Sequence, residues 1–328
     1  MNTSANFLIS VDMGGTKVLC SLINDQNLII DRIKFPSEVD KGIDNLLNNL
    51  ENSIKELLSR NYLGLENLTS VNIGVPGFVN PYSGIVAMAP NMGLKDFNLR
   101  EELRKKLPVQ INIENDVNLA ALGILKFELA NKNCNALVTF IGTGIGGALI
   151  FEGKLYRGKT FYAGEIGHIN VKRKGPKCGC GKEGCFEAMA GRLAIEREIL
   201  KKSNNDRRSF FYKFARENKR IKSKNLAQAV EANDPITIAE IIKACDIIGR
   251  TLAGINNLLA LDYIIFGGGV IEALGDFMLN RIRKVFKKYS LEAIGENTKL
   301  LISELSDDAA LYGGVKLQEE MSSTIQIV

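Results

Sequence analysis

The chain has no tryptophan, one histidine and no apolar run as long as a membrane span. The missing tryptophan excludes nothing. The missing span excludes a membrane-crossing helix. Residues 1–10 (MNTSANFLIS) lack the basic start, apolar stretch and cleavage site of a signal peptide. The protein is therefore expected to be cytoplasmic, with no membrane partner. A GxxxxGK[ST] phosphate loop is also absent.

What is present begins around that single histidine. Cys178, Cys180 and Cys185 fall within eight residues, and His168 lies ten residues upstream. Without an export signal, clustered thiols read as metal thiolates rather than disulfides. The four residues make a closed ligand set for one structural zinc ion, with no open position for water. Glu165 and Glu187 flank the cluster, and the metal would fix them in space. Cys20, Cys134 and Cys245 each sit alone in apolar surroundings and are expected to be buried free thiols.

The 328 residues suffice for two domains, and 45% apolar with 24% charged residues is ordinary for a globular protein. The net charge of +5 is uneven. Residues 201–224 carry ten bases and two acids, and the remainder has 32 bases against 35 acids. A basic patch can hold nucleic acid. No nucleic-acid motif accompanies this one, so it reads as a solvated helical excursion anchored by Phe210, Phe211, Tyr212 and Phe214.

Strands are expected at FLISVD (7–12), VLCSLIN and NLIIDRIKF, with a glycine turn after the first. Apolar positions from Ile43 to Leu58 have helical spacing. VNIGVPG and VQINIEND read as further strands, and a helix opens near Asn118. ALVTFIGTG, GGALIFEGKLYRG and YIIFGGG supply strands in the second half. Each half begins with strand, glycine–threonine turn, strand. That repetition argues for two similar α/β domains facing one another. The first is expected over 1–116 plus 307–328, and the second, with the zinc motif, over 117–306.

Three glycine turns are candidate phosphate sites, because glycine lets backbone approach an anion closely. The first comprises Gly14, Gly15, Thr16 and Lys17, with Asp12 placed to hold a metal ion through water. The second contains Gly142, Thr143 and Gly144. It formally matches GxGxxG, but the strand-like ALIFEG follows where a dinucleotide fold needs a helix. The third is Gly267, Gly268 and Gly269, between a strand and a helix.

Together DMGGTK, GVPG, ENDVN, GTGIGG, GEIGH and CGCGKEGCFE resemble the ROK family of sugar kinases, in the right order from about residue 7 to 316. Within it the chain is most similar to bacterial glucokinases. The resemblance implies a two-lobed hexokinase/actin-like (ribonuclease H-like) fold with an inter-domain cleft. It implies ATP, Mg2+ and structural Zn2+ as cofactors and a hexose, glucose favoured, as substrate. By analogy with the family it also implies a homodimer or homotetramer.

The resemblance gives Asp116 the role of base toward the sugar 6-hydroxyl, a role suited to a carboxylate at a strand end. It places Gly77, Asn91, Asn115, Asp116, Glu165, His168 and Glu187 around the sugar. Gly144 falls where sugar and γ-phosphate meet. His168 could bind zinc with one ring nitrogen and a hydroxyl with the other. Sister kinases for N-acetylmannosamine, N-acetylglucosamine, mannose or fructose share these motifs. Sugar-responsive regulators of the family carry an N-terminal DNA-binding domain. Only about six residues precede the first strand here, so a nucleic-acid partner is not expected.

Overall fold

The computed structural model of the protein describes residues 6–325. They pack as two compact units. Unit 1 takes the described residues up to Lys132, residues 153–163 and the described residues from Asp307 onward. Unit 2 takes residues 133–152 and 164–306. The chain opens in unit 1 with β1 (Phe7–Met13), β2 (Lys17–Ile23), β3 (Ile29–Pro36), α1 (Ile43–Arg60) and β4 (Leu68–Val75). There follow β5 (Phe78–Asn80), β6 (Ile85–Ala89), β7 (Leu94–Asn98), α2 (Leu99–Arg104), β8 (Gln110–Asn115) and α3 (Asp116–Phe127). Unit 2 begins with β9 (Ala136–Ile141) and β10 (Ile145–Phe151), and β11 (Lys154–Tyr156) lies in the segment that returns to unit 1. Unit 2 resumes with α4 (Phe186–Ala190), α5 (Arg192–Ser203), α6 (Tyr212–Arg216), α7 (Ser223–Glu231) and α8 (Pro235–Leu259). It ends with β12 (Tyr263–Gly267), α9 (Gly269–Tyr289), α10 (Glu292–Gly295) and β13 (Lys299–Ile302), before α11 (Ala309–Ile325) in unit 1.

The unit 1 sheet has the order β3-β2-β1-β4-β8. β1, β2 and β3 are antiparallel neighbours, whereas β4 runs parallel to β1 and β8 parallel to β4. Alternation along β1 divides its residues between two faces. Ile9, Val11 and Met13 join Leu46, Leu47, Leu50 and Ile54 of α1 in one apolar core. Ser10 of β1 and Ser70, Asn72 and Asn112 of the neighbouring strands are polar, and they too are buried. Asn112 donates to Asn72, Asn72 to Ser70 and Ser70 to Gln318 of α11, so this layer is paired internally.

Glycines let α3 and α11 meet backbone to backbone. A Cβ at Gly123 would lie 2.1 Å from the Ala309 carbonyl oxygen, and one at Gly313 would lie 1.8 Å from that of Leu119. The first domain was expected to end at Asp116. Instead α3 packs on α11, and unit 1 continues to Lys132. The small antiparallel sheet β5-β6-β7 was also not anticipated. Its strands have three to five residues, too few for a period to emerge.

Within unit 2 the strands run β10-β9-β12-β13. β10 is antiparallel to β9, and β9, β12 and β13 are parallel. This repeats the β2-β1-β4-β8 arrangement of unit 1, as the recurring strand–turn–strand pattern suggested. The core gathers Leu137, Ile141, Ile264 and Phe266 with apolar residues of α5, α7, α8 and α9. The basic excursion is pinned by Phe211, which is fully buried and packs edge-on to Phe210 and Phe214 at 5.1 and 5.3 Å. Cys20, Cys134 and Cys245 are buried free thiols. Among the described residues no helix is long and apolar enough to cross a membrane.

Gly313→Ala is expected to destabilise the protein by about 1–3 kcal/mol through overpacking at the α3–α11 contact. Denaturant unfolding checks this; an unchanged midpoint would remove the contact from the list of constraints on unit 1.

Candidate active site

In unit 1 the candidate residues gather at the ends of neighbouring strands. Asp12 on β1 pairs in register with Gly74 on β4, and Gly74 with Glu114 on β8. A side chain at Gly74 would bring its Cβ within 3.2 Å of the Asp116 Cα, so the glycine leaves room for the first turn of α3. Asn115 is the N-cap of α3. Its Oδ1 accepts from the Val117 and Asn118 amides, and its Nδ2 donates to the Gly77 carbonyl at 3.0 Å. Gly77 adopts φ +102, and a Cβ there would fall 2.2 Å from the Met88 carbonyl oxygen. The motif residue is therefore required by the backbone.

Asp116 is half-buried at the start of α3. Burial pushes its carboxyl above the ordinary range, opposed by hydrogen bonds from the Val117 amide and neighbouring donors. Asp12 is pushed up to about 6, first by burial and then by the negative charge of Asp116, while Lys17 pulls it down. Gly14 donates its amide to the Lys17 carbonyl at 2.9 Å, which closes the first glycine turn. Thr16 is exposed. Gly15 packs against the Asn91 carbonyl, with a Cβ-to-oxygen approach of 3.1 Å, which brings two of the predicted residues together. Lys17 is paired with Asp307 at 3.4 Å.

Two further residues at this site escaped the sequence reading. Glu114 is fully buried and bonds Arg157 at 2.6 Å. It also accepts from the Asn115 amide and the Asn118 side chain. Arg157 reaches Glu320 of α11 at 2.9 Å. Burial pulls the Arg157 guanidinium down, but the two carboxylates outweigh it and hold the charge. Arg157 lies 43 residues from Glu114 in sequence and 163 from Glu320. No local pattern joins residues so far apart.

In unit 2, His168, Cys178, Cys180 and Cys185 bring one ligand atom each into a cluster, all within 4.8 Å of one another. Cys178 Sγ is 3.6 Å from His168 Nδ1, and Cys180 Sγ is 3.6 Å from Cys185 Sγ. A tetrahedral site with zinc–sulfur bonds of about 2.3 Å has ligand–ligand edges of roughly 3.5–3.8 Å, so the donors fit zinc. Burial pushes the Cys178 thiol up to about 12, so a bound cation must displace its proton. His168 turns its other nitrogen, Nε2, toward Glu165 at 3.8 Å.

Glu187 joins this knot to the second glycine turn. Its Oε2 accepts from the Ile145 amide at 3.1 Å, and its Oε1 faces Cys178 Sγ at 3.6 Å. Gly144 passes so close that a Cβ would lie 1.9 Å from Glu187 Oε2. Gly142 and Thr143 offer their carbonyls to the first amides of α5, Arg192 and Leu193. Gly267 ends β12, Gly268 follows at φ +89 and Gly269 begins α9, so the third turn joins strand to helix.

The strand order and the placement of these turns define the actin-like hexokinase fold. The structure of a ROK family glucokinase from Streptomyces griseus, in complex with glucose and AMPPNP, superposes with a TM-score of 0.82 at 26% identity. That match covers 95% of this chain and 98% of the other. The ROK family profile matches residues 8–321, and the chain belongs to that family. It is 28% identical to a glucokinase of Halalkalibacterium halodurans over 98% of both chains. It is 25% identical to a xylose repressor of Caldicellulosiruptor bescii, matching 97% of this chain and 79% of that one.

Two measurements test the site. The purified protein is expected to contain one zinc per chain by elemental analysis, and Cys180→Ser to lose most of it; a folded wild type without zinc would refute the ligand assignment. The second concerns Asp12. Its raised value means that folding favours the protonated form. That contribution is complete below about pH 4 and is lost as pH rises through about 6. Above that range the ionised carboxylate is a net cost. In metal-free protein Asp12→Asn is therefore expected to stabilise by about 1–2 kcal/mol at pH 8 and by almost nothing at pH 4. Equal shifts in melting temperature at both pH values would contradict this.

Proposed function

We propose that the protein is an ATP-dependent hexose kinase whose favoured acceptor is the 6-hydroxyl of glucose. The observation that carries this reading is the pair of carboxylates in unit 1. Asp116 stands at the head of a helix whose cap is tied to Gly77, and Asp12 is close enough to feel its charge. Similarity to glucokinases over nearly the whole chain supports it, as does the glucose and AMPPNP bound in the Streptomyces griseus relative.

On this reading Asp116 orients the sugar hydroxyl and receives its proton as the γ-phosphoryl group is attacked. Its raised pKa makes it a better acceptor, and protonation at acid pH removes it. Asn115 caps α3 through Oδ1, holds Gly77 through Nδ2 and also hydrogen-bonds the Asp116 carboxyl, so on this reading it sets the direction of the base. Within unit 1, Gly77 and Asn91 are further sugar candidates and Gly14, Gly15, Thr16 and Lys17 phosphate candidates; within unit 2, Glu165, His168 and Glu187 are sugar candidates and Gly142, Thr143, Gly144 and Gly267–Gly269 phosphate candidates. Asp12 would hold Mg2+ through water, and that ion would supply charge neutralisation at the phosphates. His168, Cys178, Cys180 and Cys185 would hold a structural zinc, with His168 beside Glu165 and Cys178 beside Glu187.

A regulatory role is the second reading, and the similarity to a xylose repressor favours it. Incubation with ATP, Mg2+ and a panel of hexoses separates the two. ADP release is expected to depend on hexose and to be fastest with glucose. Asp116→Ala is expected to lower kcat by about 10^3 or more while sugar binding changes little. Hexose binding without any ADP release would favour the regulator. Preference for another hexose would reassign the substrate within the same chemistry. Appreciable residual kcat in Asp116→Ala would remove Asp116 as the base.

A further inference from the structure

The basic excursion has a contact that its composition does not explain. Its end returns to the second glycine turn. Arg192, the first residue of α5, donates from Nη2 to the Thr143 hydroxyl at 3.0 Å and from Nη1 to the Ile221 carbonyl at 2.7 Å. Behind it lies Glu196, buried to 4% exposure. That carboxylate accepts from the Ile221 amide at 3.0 Å and from Arg220 at 2.8 Å, and faces Arg192 at 3.4 Å. Two residues on, Ser223 Oγ would lie 3.5 Å from a Cβ at Gly269 of the third turn. Residues 220–223 are thus tied through Arg192 to the second glycine turn and through Ser223 to the third.

The hydrogen bonding at Thr143 has a directional consequence. A hydroxyl has one hydrogen and two lone pairs. Arg192 occupies a lone pair, because a guanidinium can only donate. The Thr143 hydrogen is then left to point at an acceptor, and at a phosphate turn that acceptor is a phosphate oxygen. The first two amides of α5 already bond the Gly142 and Thr143 carbonyls. The helix therefore contributes its side chain rather than its terminus. Two arginines share the single charge of Glu196, so the cluster is net positive beside the turn.

We propose that Arg192 is a positioning residue for the nucleotide polyphosphate, orienting the Thr143 hydroxyl and fastening the end of the 201–224 excursion to the phosphate turn. This rests on the reading of the second glycine turn as a phosphate site. A lysine could restore the charge but not the fork that meets Thr143, Ile221 and Glu196 together.

Calorimetric binding of the magnesium complex of AMPPNP tests it, with glucose binding and melting temperature measured alongside. Arg192→Ala is expected to weaken nucleotide binding about tenfold, with glucose binding within about twofold of wild type. Arg192→Lys is expected to recover only a minor part of the loss. In a Thr143→Val background the loss from Arg192→Ala is expected to shrink to about threefold or less, since the two side chains act through one bond. Full recovery by lysine, equal losses with and without the Thr143 hydroxyl, or unaltered binding in Arg192→Ala would each overturn the proposal. Should Arg192→Ala fail to fold, the lysine variant and the Thr143 cycle built on it decide the matter by the same criteria. Failure of the wild type itself to bind the nucleotide would instead overturn the kinase reading.

Discussion

A buried carboxylate needs a partner, and in unit 1 that need organises the end of the sheet that carries the candidate residues. Glu114 sits at the end of β8 with its side chain shielded from water. A charge buried there without a partner would be strongly destabilising. Arg157 neutralises it and reaches on to Glu320. The segment 153–163, entered from unit 2, is thereby fastened to β8 and α11. The free lone pairs of Glu114 hold the Asn115 amide and the Asn118 side chain, which set the first turn of α3. Asp116 belongs to that turn, so its direction follows from an ion pair it does not join.

Unit 2 uses a carboxylate in the same manner. Glu187 bonds the backbone at Ile145, excludes any side chain at Gly144 and borders the thiol of Cys178. A cation in the cysteine–histidine knot would stiffen the loop bearing Glu165 and Glu187. Through Glu187 that stiffness would reach the glycine turn. Sugar-side and phosphate-side candidates within this unit are thus mechanically linked by one side chain.

Much of this was legible in the residues. The cysteine spacing disclosed a ligand cluster because donors close in sequence must be close in space. Strand–turn–strand units disclosed the repeated topology, since period-2 alternation and glycine turns are local signals. Gly77 and Gly144 stood out in motifs, and each proves to be a position where a Cβ would collide. Less was legible where partners are distant. Nothing in the local sequence singles out Arg157 or Arg192, whose partners Glu114, Glu320, Thr143 and Ile221 lie 29 to 163 residues away. The extension of unit 1 through α3 was hidden as well, because it depends on Gly123 and Gly313 meeting 190 residues apart.

The sequence by itself determined the repeated strand–turn–strand units, the glycine turns, the clustering of His168 with Cys178, Cys180 and Cys185, and the family. These depend on spacing within short windows, and spacing is conserved on folding. Only the tertiary structure decided which charges neutralise one another, which helix backs which strand end, and where the basic excursion lands. Those outcomes depend on long-range juxtapositions, and the physical cost of leaving Glu114 or Glu196 buried without a cation is what selects among them.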